Sequence, residues 1–91
     1  MRFVYKRSLP MDYNTQGYIH FVSRMYSTLP VGQQKLVRQL CDRAGGEHRE
    51  ALFRLVTTDT GAEEVCRTYY LSRSTLERCV RRYYILFAQR I

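Results

Sequence analysis

The chain has 91 residues, enough for one domain with a modest apolar core and too few for a second independent one. Hydrophobic residues make up 45% of it and charged residues 25%, a globular balance that excludes an intrinsically disordered chain. Lys and Arg outnumber Asp and Glu by 15 to 8, and the resulting formal charge of +7 draws polyanions without choosing among DNA, RNA, an anionic membrane and an acidic protein.

Residues 1–13, MRFVYKRSLPMDY, alternate weakly around Phe3 and Tyr5 before Pro10, which suits an N-terminal arm or a short strand. From Asn14, the spacing of Tyr18, Val22, Met25, Tyr26 and Leu29 predicts the apolar face of a helix that stops before Pro30. Leu36, Val37, Leu40, Cys41 and Ala44 predict a second helix over 31–44, stopped by Gly45-Gly46. A third, over 47–57, buries Ala51, Leu52, Leu55 and Val56 and carries Glu47 and Glu50 where negative charge suits a helix N-terminus.

Thr60 with Glu63 three residues later reads as a capping box for a short fourth helix over 61–69. Ser72 is the expected N-cap of a fifth and longest helix, whose stripe is Leu76, Cys79, Val80, Tyr83 and Phe87 or Leu86. Connections of a few residues and the absence of repeats or linkers make residues 14–91 one all-α domain, a compact bundle of about five helices.

The three cysteines, Cys41, Cys66 and Cys79, are widely spaced and form no Cys-x-x-Cys pair, so they are expected to be reduced core residues rather than a disulfide framework or a zinc site. No metal or cofactor is expected, and no nucleophile stands with its base or with a phosphate-binding glycine loop, so the chain does not read as an enzyme. No apolar run reaches the ~18 residues of a membrane span, and the basic start lacks the apolar stretch of a signal peptide, so a cytoplasmic protein is expected.

The last thirty residues are more specific. The short fourth helix and the long fifth are separated only by YYLS, which forces a steep crossing, and Ala62, Val65, Cys66, Leu71, Leu76 and Cys79 supply the small or apolar seam. With Val65-Cys66 in the first helix, Leu71-Ser72 closing the turn and SRSTLER opening the second, residues 61–83 resemble the bacterial helix-turn-helix family. Upstream, Arg49, Leu52, Leu55, Gly61 and Glu64 are similar to the scaffold in response-regulator output domains and in the promoter-binding region of sigma factors, so the resemblance spans 49 to about 83. Two positions depart from the pattern: Cys66 stands where Ala is commonest, and Tyr70 where the turn usually has Gly, which implies a non-glycine form of turn.

The resemblance implies double-stranded DNA as partner and a recognition helix that presents Ser72, Arg73, Ser74, Glu77, Arg78 and Arg81 to the bases. Arg73 and Arg78 suit bidentate contacts to guanine, whereas Glu77 either accepts from cytosine or pairs with Arg73 or Arg81 along its own helix. Thr60, Arg67, Thr75 and Arg82 are the phosphate candidates, and the basic arm of Arg2, Lys6 and Arg7 is a further one.

Tyr69, Tyr70, Tyr83 and Tyr84 interleave with arginines as in single-strand stacking platforms, but Tyr69 and Tyr83 fall near the apolar stripes and suit packing better. The surplus apolar surface of RYYILFAQRI either buries against the N-terminal helices or forms a homodimer contact through the C-terminal helix. The expected function is that of a small transcriptional regulator or mobile-element accessory factor. The alternative is a protein-interaction module on the same scaffold, binding RNA polymerase or another regulator.

Overall fold

The computed structural model describes Phe3 and residues 5–91, and all regular structure among them is helical. Asp12 accepts the Thr15 backbone N–H at 2.8 Å and opens α1, Tyr13–Arg24, one residue before the expected Asn14. This bond also holds the Asp12 carboxyl below its ordinary pKa. The helix does not continue to residue 29. It ends at Met25, and a 3-10 turn, Tyr26–Thr28, leads to Pro30 and α2, Val31–Gly45.

Gly46, at φ 55° and ψ −122°, turns the chain through a conformation that a side chain would resist. A second 3-10 turn, Gly46–His48, then feeds α3, Arg49–Thr57. Next come α4, Ala62–Tyr69, and α5, Arg73–Ala88, the longest helix.

The buried face of α1 and the turn after it is only partly the predicted one: Val22, Tyr26 and Leu29 do pack against the core. Tyr18 and Met25 are more than half exposed, and Gln16, Ile19 and Ser23 point inward instead. Two polar residues can occupy that face because each is fully bonded there. Gln16 accepts the Lys6 N–H and donates to the Lys6 carbonyl, both at 2.8 Å, with a further bond to the Met11 carbonyl. Ser23 donates to the Ile19 carbonyl at 2.7 Å and lies 2.6 Å from the Tyr83 hydroxyl on α5.

Residues 5–12 contain no strand. Leu9 is buried in the core, and Gln16 ties the segment to α1. Arg2, grouped by sequence with the arm cations, lies outside the described residues.

At the centre α2 packs against α5 and α3. Val37, Leu40, Cys41 and Ala44 of α2 meet Leu52 and Val56 of α3 and Cys79, Tyr83, Tyr84 and Phe87 of α5. Each large side chain closed off in this way contributes about 1.5–3 kcal/mol of transfer free energy. A smaller cluster, Ala51, Val65 and Leu76, joins α3, α4 and the start of α5, with Leu55, Ala62, Cys66 and Leu71 at its edge.

Five of the six predicted seam residues, Ala62, Val65, Cys66, Leu71 and Leu76, are thus in place, but Cys79 belongs to the main core rather than to the α4–α5 contact. The cysteines are free thiols, and burial pushes Cys41 up to about 12 and Cys79 upward from the ordinary 9.0. No helix among the described residues is long and apolar enough to cross a membrane.

Candidate nucleic-acid interface

The start of α4 differs in detail from the expected capping box. Gly61, extended at φ −73° and ψ 158°, is the N-cap, and no side chain bonds to the first turn. The Thr60 hydroxyl is engaged elsewhere: it accepts from Thr58 Oγ1 at 2.8 Å, with Arg54 Nε at 3.5 Å. Glu63 and Glu64 still place negative charge on the first turn, which the helix dipole favours, and Glu64 lies 3.9 Å from Arg54.

Tyr70 closes α4 in the left-handed region, at φ 57° and ψ 49°, and is the sole non-glycine residue with positive φ among those described. A non-glycine residue takes this conformation at a cost of about 1–2 kcal/mol. The Leu71 N–H returns to the Cys66 carbonyl at 3.1 Å, the hydrogen bond of a Schellman closure, and Leu71 and Cys66 both pack against the Ala51, Val65 and Leu76 cluster. The turn therefore has the geometry that glycine usually supplies, with an exposed tyrosine in its place.

Ser72 then caps α5 as predicted, accepting the Thr75 N–H at 3.1 Å. Its hydroxyl also donates to Thr75 Oγ1 at 2.9 Å and lies 3.2 Å from Ser74 Oγ, so three hydroxyls cluster at the tip of the helix. Arg78 reaches back toward Thr75 Oγ1 at 3.5 Å, and Arg73 pairs with Glu77 at 3.6 Å across one turn. Glu77 pairs along its own helix with Arg73 rather than with Arg81.

The other candidates separate. Arg81 donates to the Ser8 carbonyl and so is held by the N-terminal segment. Arg82 points to the opposite side, where its guanidinium lies 3.4 Å from the Arg43 carbonyl near the end of α2, a favourable place for a cation. Arg67 is exposed on α4.

The tyrosines divide too. Tyr83 and Tyr84 are buried, with both phenols pushed up by burial, Tyr84 to about 12, whereas Tyr70 is 95% exposed.

The face of α5 bearing Arg73, Glu77 and Arg81 forms one wall of a cleft of about 680 Å³. Opposite it stand Lys6, Ser8 and Leu9 of the N-terminal segment, with His20 and Arg24 of α1. His20 and Arg24 escaped the sequence reading because nothing in their local spacing links them to a helix fifty residues away. Burial, reinforced by the charge of Arg24, lowers the His20 pKa and favours neutral imidazole. No group of three or more His, Cys, Asp or Glu side chains among the described residues is arranged to hold a metal ion. Compared with known proteins, the chain matches no family model, no curated protein and no solved structure.

Proposed function

We propose that the chain binds double-stranded DNA sequence-specifically through residues 61–83, read as a helix-turn-helix, as a small transcriptional regulator or mobile-element accessory factor. The observation that carries this reading is the α4–α5 pair: a three-residue turn closed by Tyr70, a Ser72 cap, and cations on the face of α5 that leaves the packing seam free. Such a helix can enter a major groove by its N-terminal half while basic residues around it attract phosphates.

In this mechanism Arg73 and Arg78 bond guanine edges. Ser72, Ser74 and Thr75 contact phosphate or short polar groups at the helix tip, with Thr60, Arg67 and Arg82 as outer phosphate contacts. Arg81 reads a base only after exchanging the Ser8 carbonyl for it. No bond in DNA is made or broken. A homodimer on two half-sites supplies the affinity that a single small motif lacks, and the work is done in the cytoplasm.

Selection from a random duplex library, with Arg73→Ala and Arg78→Ala alongside the native chain, tests the assignment. Each lost guanine contact should relax preference at one position by about 1–3 kcal/mol, and unchanged preference in both variants is incompatible with it.

One observation favours a protein-interaction module instead. Tyr13, Tyr18 and Phe21 of α1 and Met25 just after it are each more than half exposed, an apolar group such as partner proteins cover. Anisotropy against random duplex distinguishes the two, because a DNA binder loses affinity steeply with salt.

A further inference from the structure

The cleft beside α5 joins two features, and DNA docking leaves the first of them, and the Lys6 and Arg24 side of the second, unused. Its floor is apolar, formed by Leu55 and Val56 of α3 and by Leu76, Val80 and Tyr84 of α5. Its rim is cationic: Lys6, Arg24, Arg73, Arg78 and Arg81 face it, against the single carboxylate of Glu77.

Arg24 is the least compensated of these charges. Its Nη2 lies 3.3 Å from Asp59, yet Nε and Nη1 are closed off from solvent with no acceptor among the described residues. Asp59 answers one nitrogen of this guanidinium, while the other two have neither water nor an acceptor, which is costly unless a further acceptor comes within reach.

We infer that this cleft is a binding site for a small amphipathic organic anion, whose carboxylate or phosphate head lies among Arg24, Arg73 and Arg81 and whose apolar body covers Val56, Val80 and Tyr84. The volume is within the ~300–1,000 Å³ range of small-molecule sites, and an apolar lining with a few converging polar groups is their usual composition. A nucleic-acid phosphate satisfies the rim alone, and a neutral lipid tail the floor alone. Only a ligand with both parts satisfies both. Tyr84, its phenol kept neutral by burial, stays an uncharged part of that floor. The site stands independently of the DNA reading, although Arg73, Arg78 and Arg81 are common to both surfaces.

The test is an amide NMR titration of the full chain with octyl phosphate below its micelle concentration, beside inorganic phosphate and 1-octanol. Saturable one-site binding is expected, with shifts confined to the cleft, and at least tenfold weaker binding of either half-ligand. Arg24→Gln and Arg73→Gln should each weaken octyl phosphate about three- to tenfold, while Arg43→Gln, outside the cleft, leaves it unchanged. Arg73 is exposed and its variant keeps the fold, so it decides the matter if Arg24→Gln does not fold. Three results overturn the proposal: no saturation, shifts spread over the whole basic surface, or Arg73→Gln binding as the native chain does. Co-sedimentation with phosphatidylglycerol vesicles in the absence of monomer binding also overturns it, since the surface would then be a membrane face.

Discussion

Removing the Ser23 hydroxyl should destabilise the fold by more than removing the Tyr83 hydroxyl that touches it. Both side chains are sealed from water, and their oxygens lie 2.6 Å apart. Ser23 also stands 2.7 Å from the Ile19 carbonyl, which can only accept, so the serine proton goes there and Tyr83 donates to Ser23.

Ser23→Ala strands the phenol proton in the core at about 1–3 kcal/mol, offset by about 0.5 kcal/mol from the better helix propensity of alanine. Tyr83→Phe loses one bond but strands nothing, because Ser23 keeps Ile19, and so costs about 0.5–1.5 kcal/mol. The double variant has no stranded group and should cost well under the sum, with a coupling of about 1 kcal/mol. Urea unfolding followed by helical circular dichroism measures all four proteins, and the first substitution should lower Tm by about 4–8 °C per kcal/mol. Additivity within about 0.3 kcal/mol would show that the α1–α5 hydroxyl pair does not exist in solution.

Gly46→Ala should cost about 1–3 kcal/mol in the same assay because of its backbone angles, whereas Gly32→Ala, in the first turn of α2 with open space around it, should stabilise by about 0.5–1 kcal/mol. Tyr70→Gly should raise stability by about 0.5–1 kcal/mol, since the exposed ring buries nothing and glycine relieves the left-handed backbone; a loss of stability would mean that the ring holds the turn.

Stability should peak near neutral pH and fall at both ends. The depressed His20 lets the unfolded chain take up a proton first as pH drops below its ordinary 6.5, so stability is lost there, and His20→Gln should flatten that limb. The raised Cys41, Cys79 and Tyr84 let the unfolded chain release protons first as pH rises past 9.0, so stability declines toward the folded values of about 12 to which burial pushes Cys41 and Tyr84. Urea midpoints that stay level from about pH 5.5 to 10.5 would contradict both assignments.

The stripes of α2 and α3 were legible in the sequence because their buried positions are apolar and evenly spaced, and hydrophobic periodicity reports such faces directly. For α1 it misled, since Gln16 and Ser23 read as surface residues until their partners are known, and Tyr83 lies sixty residues from Ser23. The Ser72 cap needed only local chemistry. Thr60 shows the limit of such chemistry: a hydroxyl suited to capping was already taken by Thr58, and the extended Gly61 began the helix instead. The arginines of α5 were identifiable as exposed, but Arg81 finds Ser8 across 73 residues, and the cleft exists only because the N-terminal segment folds back. Patterns within one helix could not contain that information.

The paired hydrogen bonds of Gln16 to the Lys6 backbone have a mechanical consequence. Gln16 holds both the backbone N–H and the carbonyl of Lys6, so the segment ahead of α1 acts as a latch that opens only when both hydrogen bonds break. Once the latch opened, Leu9 would leave the core, Arg81 would lose the Ser8 carbonyl, and the cleft would lose one wall in the same movement. Release of this segment and exposure of the basic face of α5 are in this way one event.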